Sequence, residues 1–382
     1  MHSPFGDISI ATFLSEYWQK KPLLIRNAFP DFEPPLNADE LAGMALEQDV
    51  ESRLIIQSPD AEEWHLKHGP LTEKTFAELP DSHWTLLVQA VDHWVPEAAE
   101  LVEQFRFIPN WRLDDLMISY AANGGGVGPH YDNYDVFLIQ ATGARRWEIG
   151  GIFSEDSPRR DDVPVMILPE WEAEESWDLQ PGDMLYLPPR VGHNGYALGD
   201  DCMTLSVGFR APSHQEIFTG FTNYLDTVTS AEDRYADPDL KLQTNPGEIT
   251  TEALQRVQHI LQEYCANPEL LSHWLGQFMT DPKYPDLTGE QSIEMAGDDI
   301  RNLIEAGVPL CRNEGSRYAY HQGPNFILFV DGKGCACSPG QIDLAKQLCA
   351  SLYHTGIPTT QENLDLIRAL LLQGSLYFLD AG

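Results

Sequence analysis

Basic residues are scarce in this chain. Lysine and arginine number 24 against 59 aspartates and glutamates, a formal net charge of -35 at neutral pH. Nucleic acids and anionic membranes are held by clustered cations that neutralise phosphate, so neither suits so acidic a surface. The same excess favours encounter with a basic partner through long-range steering, and equally serves plain solubility. Cysteine is sparse too. The six residues Cys202, Cys265, Cys311, Cys335, Cys337 and Cys349 are too scattered for a disulfide framework. Cys335 and Cys337 form a CxC, but with no second pair at zinc-finger spacing they read as strand residues beside a hairpin. No apolar run is long enough to cross a bilayer, and Met1–Pro4 lacks the basic and apolar regions of a secretory leader, so the cytoplasm is the expected compartment. The glycine run 124–128 is not followed by the Gly-Lys-Ser/Thr of a phosphate loop, and no Ser-His-Asp or nucleophilic-cysteine pattern stands out.

What remains is an ordinary globular composition, 42% hydrophobic and 22% charged over 382 residues, enough for two or three domains. The N-terminal forty residues mix a helical pattern (Ile10, Phe13, Leu14, Trp18) with a strand at Pro22–Arg26. From Trp84 to Arg210 the texture is mostly β: short apolar runs such as Asp135–Ile139, Arg146–Ile149 and Met184–Leu187 are separated by turns at Thr142-Gly143, Gly150-Gly151 and Pro181-Gly182-Asp183. Short strands punctuated this closely imply an antiparallel sandwich or barrel. Helical periodicity takes over at 214–228 and 251–279, on apolar faces that must cover the barrel or meet a partner, a second copy of the chain included. From about 290 the order is helix, strands at Arg317–His321 and Phe326–Val330 with a turn at 331–334, helices at 340–353 and 360–372, then a short strand. That order is winged-helix-like. Its first helix after the turn offers only Lys346 and its turn only Lys333, too little for direct DNA binding.

The chemistry gathers in two places. His130 and Asp132 stand two apart before an apolar strand, so in extended chain an imidazole and a carboxylate project to one side. A lone HxD is weak. Further on, Gly182, Pro188 and His193 fit the second motif of the cupin barrel, with Arg190 where that motif usually has glycine. Together His130, Asp132 and His193 make a two-histidine, one-carboxylate face with open positions, the set associated with non-haem iron(II) oxygenases, although zinc accepts the same donors. On the strand 144–149, Arg145 shares the apolar, inward face with Trp147 and Ile149. A guanidinium inside a barrel is costly unless an anion meets it. A bound dicarboxylate would do so bidentately, and a distant acid or solvent is the alternative. The glycine run reads as a flexible rim through which a peptide reaches the metal. His65 and His68 have no carboxylate at ligand spacing and read as surface residues.

These motifs resemble the JmjC-type 2-oxoglutarate oxygenases of the cupin superfamily, and more narrowly their bacterial ribosomal-oxygenase branch. The likeness includes Phe13–Pro22, Trp84–Val91, Asp114–Ser119, the glycine run through Phe137, and Ser206–Pro212. It implies a mainly β double-stranded β-helix, the cupin/JmjC jelly roll, with N-terminal α/β decoration as a catalytic domain over 1–212. A helical dimerisation region over 213–285 and a winged-helix-like domain over 286–382 would follow. By that resemblance His130, Asp132 and His193 are the catalytic iron(II) ligands, and Arg145 holds the distal carboxylate of 2-oxoglutarate, with Ser119 and Thr204 as further contacts. Molecular oxygen is the second co-substrate. The implied target is an arginine of the sixteenth large-subunit ribosomal protein, a basic partner for an acidic enzyme that works as a homodimer. Two rivals stand beside it: a related oxygenase acting on another protein or RNA, and a non-catalytic metal-binding regulatory module. One departure bears on substrate choice, Asn194 after the distal histidine where close relatives are expected to be acidic.

Overall fold

The computed structural model describes residues 4–6, 8–58, 63–285 and 294–379. Two compact units emerge, Met1–Ala211 and Pro212–Gly382. The expected boundary between 285 and 286 falls at the edge of the described residues.

The first unit begins with the helix Ile10–Glu16, capped by Ser9, whose side chain accepts from the Thr12 amide. Its strands are β1 (Leu23–Ile25), β2 (Ser52–Ser58), β3 (Glu63–His68), β4 (Trp84–Val88), β5 (Leu113–Ala121), β6 (Val136–Thr142), β7 (Arg145–Ile152), β8 (Glu175–Leu179), β9 (Met184–Leu187), β10 (Val191–Ala197) and β11 (Cys202–Phe209). Eight form a large sheet in the order β1-β9-β6-β11-β5-β4-β2-β3, and three a small one, β10-β7-β8. The sheet order is that of a jelly roll, as the sequence led us to expect. Alternation along each strand assigns side chains to one face or the other. Phe137 and Ile139 on β6, Met184 and Tyr186 on β9, and Leu205 and Val207 on β11 pack outward with Phe5, Phe13 and Phe105 of the N-terminal decoration. The intervening Val136, Leu138, Leu185 and Leu187 face inward against Trp147, Ile149, Leu179 and Val191 of the small sheet. β6 is therefore buried on both faces, which is why its sequence is apolar apart from Gln140 and the terminal Thr142.

The decoration is also pinned by one buried carboxylate. Asp135, just before β6, accepts from the Tyr186 hydroxyl at 2.6 Å, Gln19 Nε2 at 2.9 Å and Arg112 Nη2 at 3.4 Å. Burial raises its pKa and these donors oppose that rise. His65 and His68 lie exposed on β3, as expected.

The second unit holds the helices His214–Val228, Thr251–Cys265 and Pro268–Thr280. The helical pattern over 251–279 divides into two helices. Asn267 caps the second and Pro268 occupies its first turn, where a missing N–H costs nothing. Beyond the helix Gly297–Glu305 come β12 (Leu310–Arg312), β13 (Tyr318–Gln322), β14 (Phe326–Val330), β15 (Lys333–Ala336), the helix Ile342–Ala350, β16 (Tyr353–His354), the helix Gln361–Gln373 and β17 (Leu376–Phe378). The two-residue turn Asp331-Gly332, both with positive φ, closes the β14–β15 hairpin and makes Lys333–Ala336 a strand where a longer turn was expected. Cys335 lies on that strand and Cys337 just beyond it.

Candidate active site

Two antiparallel bridges outside the named strands tie the segment after β5 to β10: Gly126 faces Tyr196, and His130 faces His193. The His130 N–H donates to the His193 carbonyl at 2.9 Å, and the His193 N–H returns a bond to the His130 carbonyl at 2.8 Å. Opposed residues of an antiparallel pair send their side chains to one face, and the two rings stand 4.2 Å apart between centroids. The glycine run is part of this pairing rather than a loose rim. A Cβ on Gly126 would collide with the Gly195 carbonyl, and one on Gly125 with the Trp84 carbonyl.

Asp132 reaches the same spot, with Oδ2 3.6 Å from His193 Nε2. One donor atom from each of His130, Asp132 and His193 lies within 4.8 Å of the others, so the three can share an ion. Both imidazoles are oriented by the backbone: His130 Nδ1 lies 2.8 Å from the Gly128 carbonyl and His193 Nδ1 3.0 Å from that of Val191. Each Nδ1 therefore carries its proton and each Nε2 presents a lone pair inward. Burial, with His130 beside it, pushes the His193 imidazole down to about 4 against the opposing pull of Asp132. It is neutral at ordinary pH, the state a metal ligand needs.

Arg190, where the barrel motif usually has glycine, adopts φ 68°, the left-handed conformation that explains the usual residue. Its amide donates to the Asp132 carbonyl at 2.6 Å, and its own carbonyl accepts from Phe153 N at 2.8 Å. The turn thus locks the Asp132 backbone beside the strand that delivers His193.

Arg145 is 3% exposed and points inward with Trp147, as the alternation implied. Its Nη2 donates to the Gly195 carbonyl at 3.1 Å, its Nη1 lies 4.0 Å from Cys202 Sγ, and the guanidinium sits 5.1 Å over the Trp147 ring. Among the described residues no carboxylate pairs with it, Arg145 Nε has no partner, and Trp147 Nε1 on the same face has none either. Each stranded donor costs about 1–3 kcal/mol. Burial pulls the Arg145 pKa down. Two orphan donors beside a buried cation leave hydrogen-bonding capacity that a carboxylate could take up.

Ser119 and Thr204 are register partners on β5 and β11, and Thr204 pairs in turn with Gln140 on β6. All three are buried. Thr204 Oγ1 donates to Gln140 Oε1 at 3.1 Å, while Gln140 Nε2 donates to the Thr142 and Met203 carbonyls and toward Cys202 Sγ. Thr204 thus has its proton engaged and shows a ligand only lone pairs. Ser119 Oγ makes one long bond, 3.4 Å to the Thr204 carbonyl, and can turn to a ligand more readily. Gln140 escaped the sequence reading. Its signal was a polar residue at an inward position of an otherwise apolar strand.

Asn194 alternates with His193 and so faces outward, donating to Glu148 Oε2 at 3.0 Å. Tyr134 lies near Asp132, whose negative charge raises the tyrosine hydroxyl pKa.

A barrel with two imidazoles and a carboxylate at its mouth, and an unpaired arginine within, has the build of a JmjC oxygenase. The JmjC domain family matches residues 100–217, and the ROXA-like winged helix matches 258–377. The ribosomal protein uL16 3-hydroxylase of Escherichia coli K12 is 38% identical over 307 residues, 80% of each protein. The solved E. coli ycfD structure superposes with a TM-score of 0.88 at 33% identity, covering 98% of this chain and 99% of that one. The E. coli ribosomal oxygenase YcfD in complex with cobalt and 2-oxoglutarate gives 0.85 at 32% identity, covering 97% and 98%. The chain belongs to the JmjC-domain ribosomal oxygenases. Among the described residues no helix is long and apolar enough to cross a membrane.

Proposed function

We propose that this protein is an iron(II)- and 2-oxoglutarate-dependent dioxygenase that hydroxylates an arginine side chain of ribosomal protein uL16. The observation that carries the reading is the pairing of a three-donor cluster with a buried arginine that has no anion. The residues fit such cofactors: two neutral nitrogens and one carboxylate suit a divalent first-row metal, and the stranded donors of Arg145 and Trp147 suit the far carboxylate of a dicarboxylic acid. Iron(II) and 2-oxoglutarate, when bound, supply the oxygen chemistry, in which dioxygen is divided between succinate (released with carbon dioxide) and the hydroxylated carbon.

The chain's own part is placement. His130, Asp132 and His193 would hold the metal through three donors, fewer than a divalent first-row ion accepts. Arg145 would hold the far carboxylate of the co-substrate, with Ser119 a second donor and Gln140 setting the Thr204 hydroxyl. The apolar wall of Val136, Leu138, Leu185 and Leu187 keeps water from the interior. The net charge of -35 favours a basic target, which supports arginine. A ribosomal protein target also suits the acidic net charge and a cytoplasmic enzyme, and DNA binding is not expected of the winged helix. Phe218, Leu254, Val257 and Leu261 remain exposed on the helices of the second unit, which fits a homodimer.

The test is turnover with iron(II), 2-oxoglutarate and a uL16 peptide, read by succinate release and fragmentation mass spectrometry. One oxygen atom gained on arginine is the expected result. Oxygen placed on another residue would move the target to a different side chain. A peptide left unmodified with no succinate above background would favour a binding module instead.

A further inference from the structure

The outer face of the small sheet carries a cluster that the reaction itself does not use. In the β7–β10 ladder Ile149 pairs with His193, Glu148 with Asn194 and Trp147 with Gly195, but the register shifts between His193 and Val191, which pairs with Ile152. Gly150 and Gly151 on β7 lie opposite the single Gly192 on β10, one residue in excess, so a bulge sits beside the distal histidine. Strand pairing is least secure at such a break, and a one-residue slip of β10 would turn His193 from the inner face to the outer.

Glu148 sits next to this break and collects three donors. Its Oε2 accepts from Asn194 Nδ2 at 3.0 Å and Trp171 Nε1 at 3.1 Å, and its Oε1 from the Tyr196 hydroxyl at 3.3 Å. Asn194 and Tyr196 flank Gly195 on β10, so two of these bonds grip the strand just after His193. The third holds the Trp171 ring over the break, where a Cβ on Gly150 would collide with it and one on Gly192 would press on it and collide with Phe153. The Glu174 amide adds a bond to the Ile149 carbonyl at 2.7 Å.

We propose that Glu148 is a positioning residue for the metal centre: through Asn194, Tyr196 and Trp171 it fixes the register of β10 at the bulge and so keeps His193 Nε2 facing His130 and Asp132. This rests on the reading of those three residues as the metal ligands. Asn194 then acts as the partner of Glu148 on the face opposite the metal, a role in holding β10 rather than in touching substrate.

Cobalt(II) titration of the full-length apoprotein, followed by visible absorption, tests the idea without turnover. Wild type that fails to bind cobalt(II) would overturn the metal reading itself. Given wild-type binding, Glu148→Ala is expected to weaken cobalt affinity tenfold or more and alter the ligand-field bands, in the range seen when supports of metal ligands are removed. Asp178→Asn breaks the neighbouring outer-face ion pair with Arg146 and serves as the control, expected to leave both unchanged. Glu148→Gln keeps the acceptor oxygen and should recover most of the affinity. Should Glu148→Ala fail to fold, Trp171→Phe removes a single donor and is expected to weaken cobalt binding by a smaller factor. Wild-type affinity and spectrum in a folded Glu148→Ala or Trp171→Phe protein, or an equal loss in Asp178→Asn, would overturn the proposal.

Discussion

The two faces of the large sheet are built on opposite terms. Outward, Phe137, Tyr186, Leu205 and Val207 meet aromatic rings of the N-terminal decoration, and the buried carboxylate of Asp135 is met by three donors. Inward, beyond the apolar wall, the same strands carry Ser119, Gln140 and Thr204 toward an arginine with an orphan donor and a histidine kept neutral by burial. One face is complete in the protein alone. The other is complete only with something bound, so stability and function are separable by face.

The sharpest break of this comparison is at the ligands. Asp132→Ala should lower turnover to background and abolish tight cobalt(II) binding, while changing stability by no more than about 1 kcal/mol, since the site contributes little to the core. Phe137→Ala, fully buried on the outward face, should do the reverse. It is expected to cost about 3–5 kcal/mol in urea denaturation, with metal affinity preserved in the folded fraction. If Phe137→Ala weakened metal binding as much as folding, the two faces would not be independent.

Arg145→Met tests the inward face more finely, because its two effects should differ in sign. Losing a charge-assisted, bidentate grip is expected to raise the KM for 2-oxoglutarate by one to two orders of magnitude, equivalent to about 1.5–3 kcal/mol. Without ligand, the same change removes a buried unpaired cation and should leave the protein as stable as wild type or more so. In thermal melts, 2-oxoglutarate with metal should therefore raise the Tm of wild type but hardly that of the variant. A destabilised apo variant would show that Arg145 is a structural residue already satisfied.

How much of this the sequence disclosed follows the same division. The donors His130, Asp132 and His193 were legible because spacing and strand alternation are local properties, and Arg145 was legible by its phase against Trp147 and Ile149. What was hidden depends on partners distant in sequence. The pairing of Gly126 with Tyr196 turned an expected flexible rim into a close-packed strand edge, and the Gly195 and Trp84 carbonyls explain that. Gln140 was masked by the apolar run around it until Thr204 was seen opposite. The interruption at Asn267-Pro268 was local, yet apolar periodicity carries across a break whenever both helices pack the same way.

The smallest expected effect lies at Arg190, in the turn from β9 of the large sheet to β10 of the small one. Its φ of 68° is a conformation that costs a non-glycine residue about 1–2 kcal/mol. Arg190→Gly would relieve that cost, but glycine also gives the unfolded chain more freedom, worth about 0.5–1 kcal/mol in the other direction. The net should be a gain of roughly 1 kcal/mol or less, measurable as a small rise in the urea midpoint. Metal affinity should not change, because the bonds at Arg190 to Asp132 and Phe153 run through backbone atoms that glycine keeps. A loss of stability would mean that the arginine side chain itself holds the turn, and a change in metal affinity that the turn reports to Asp132.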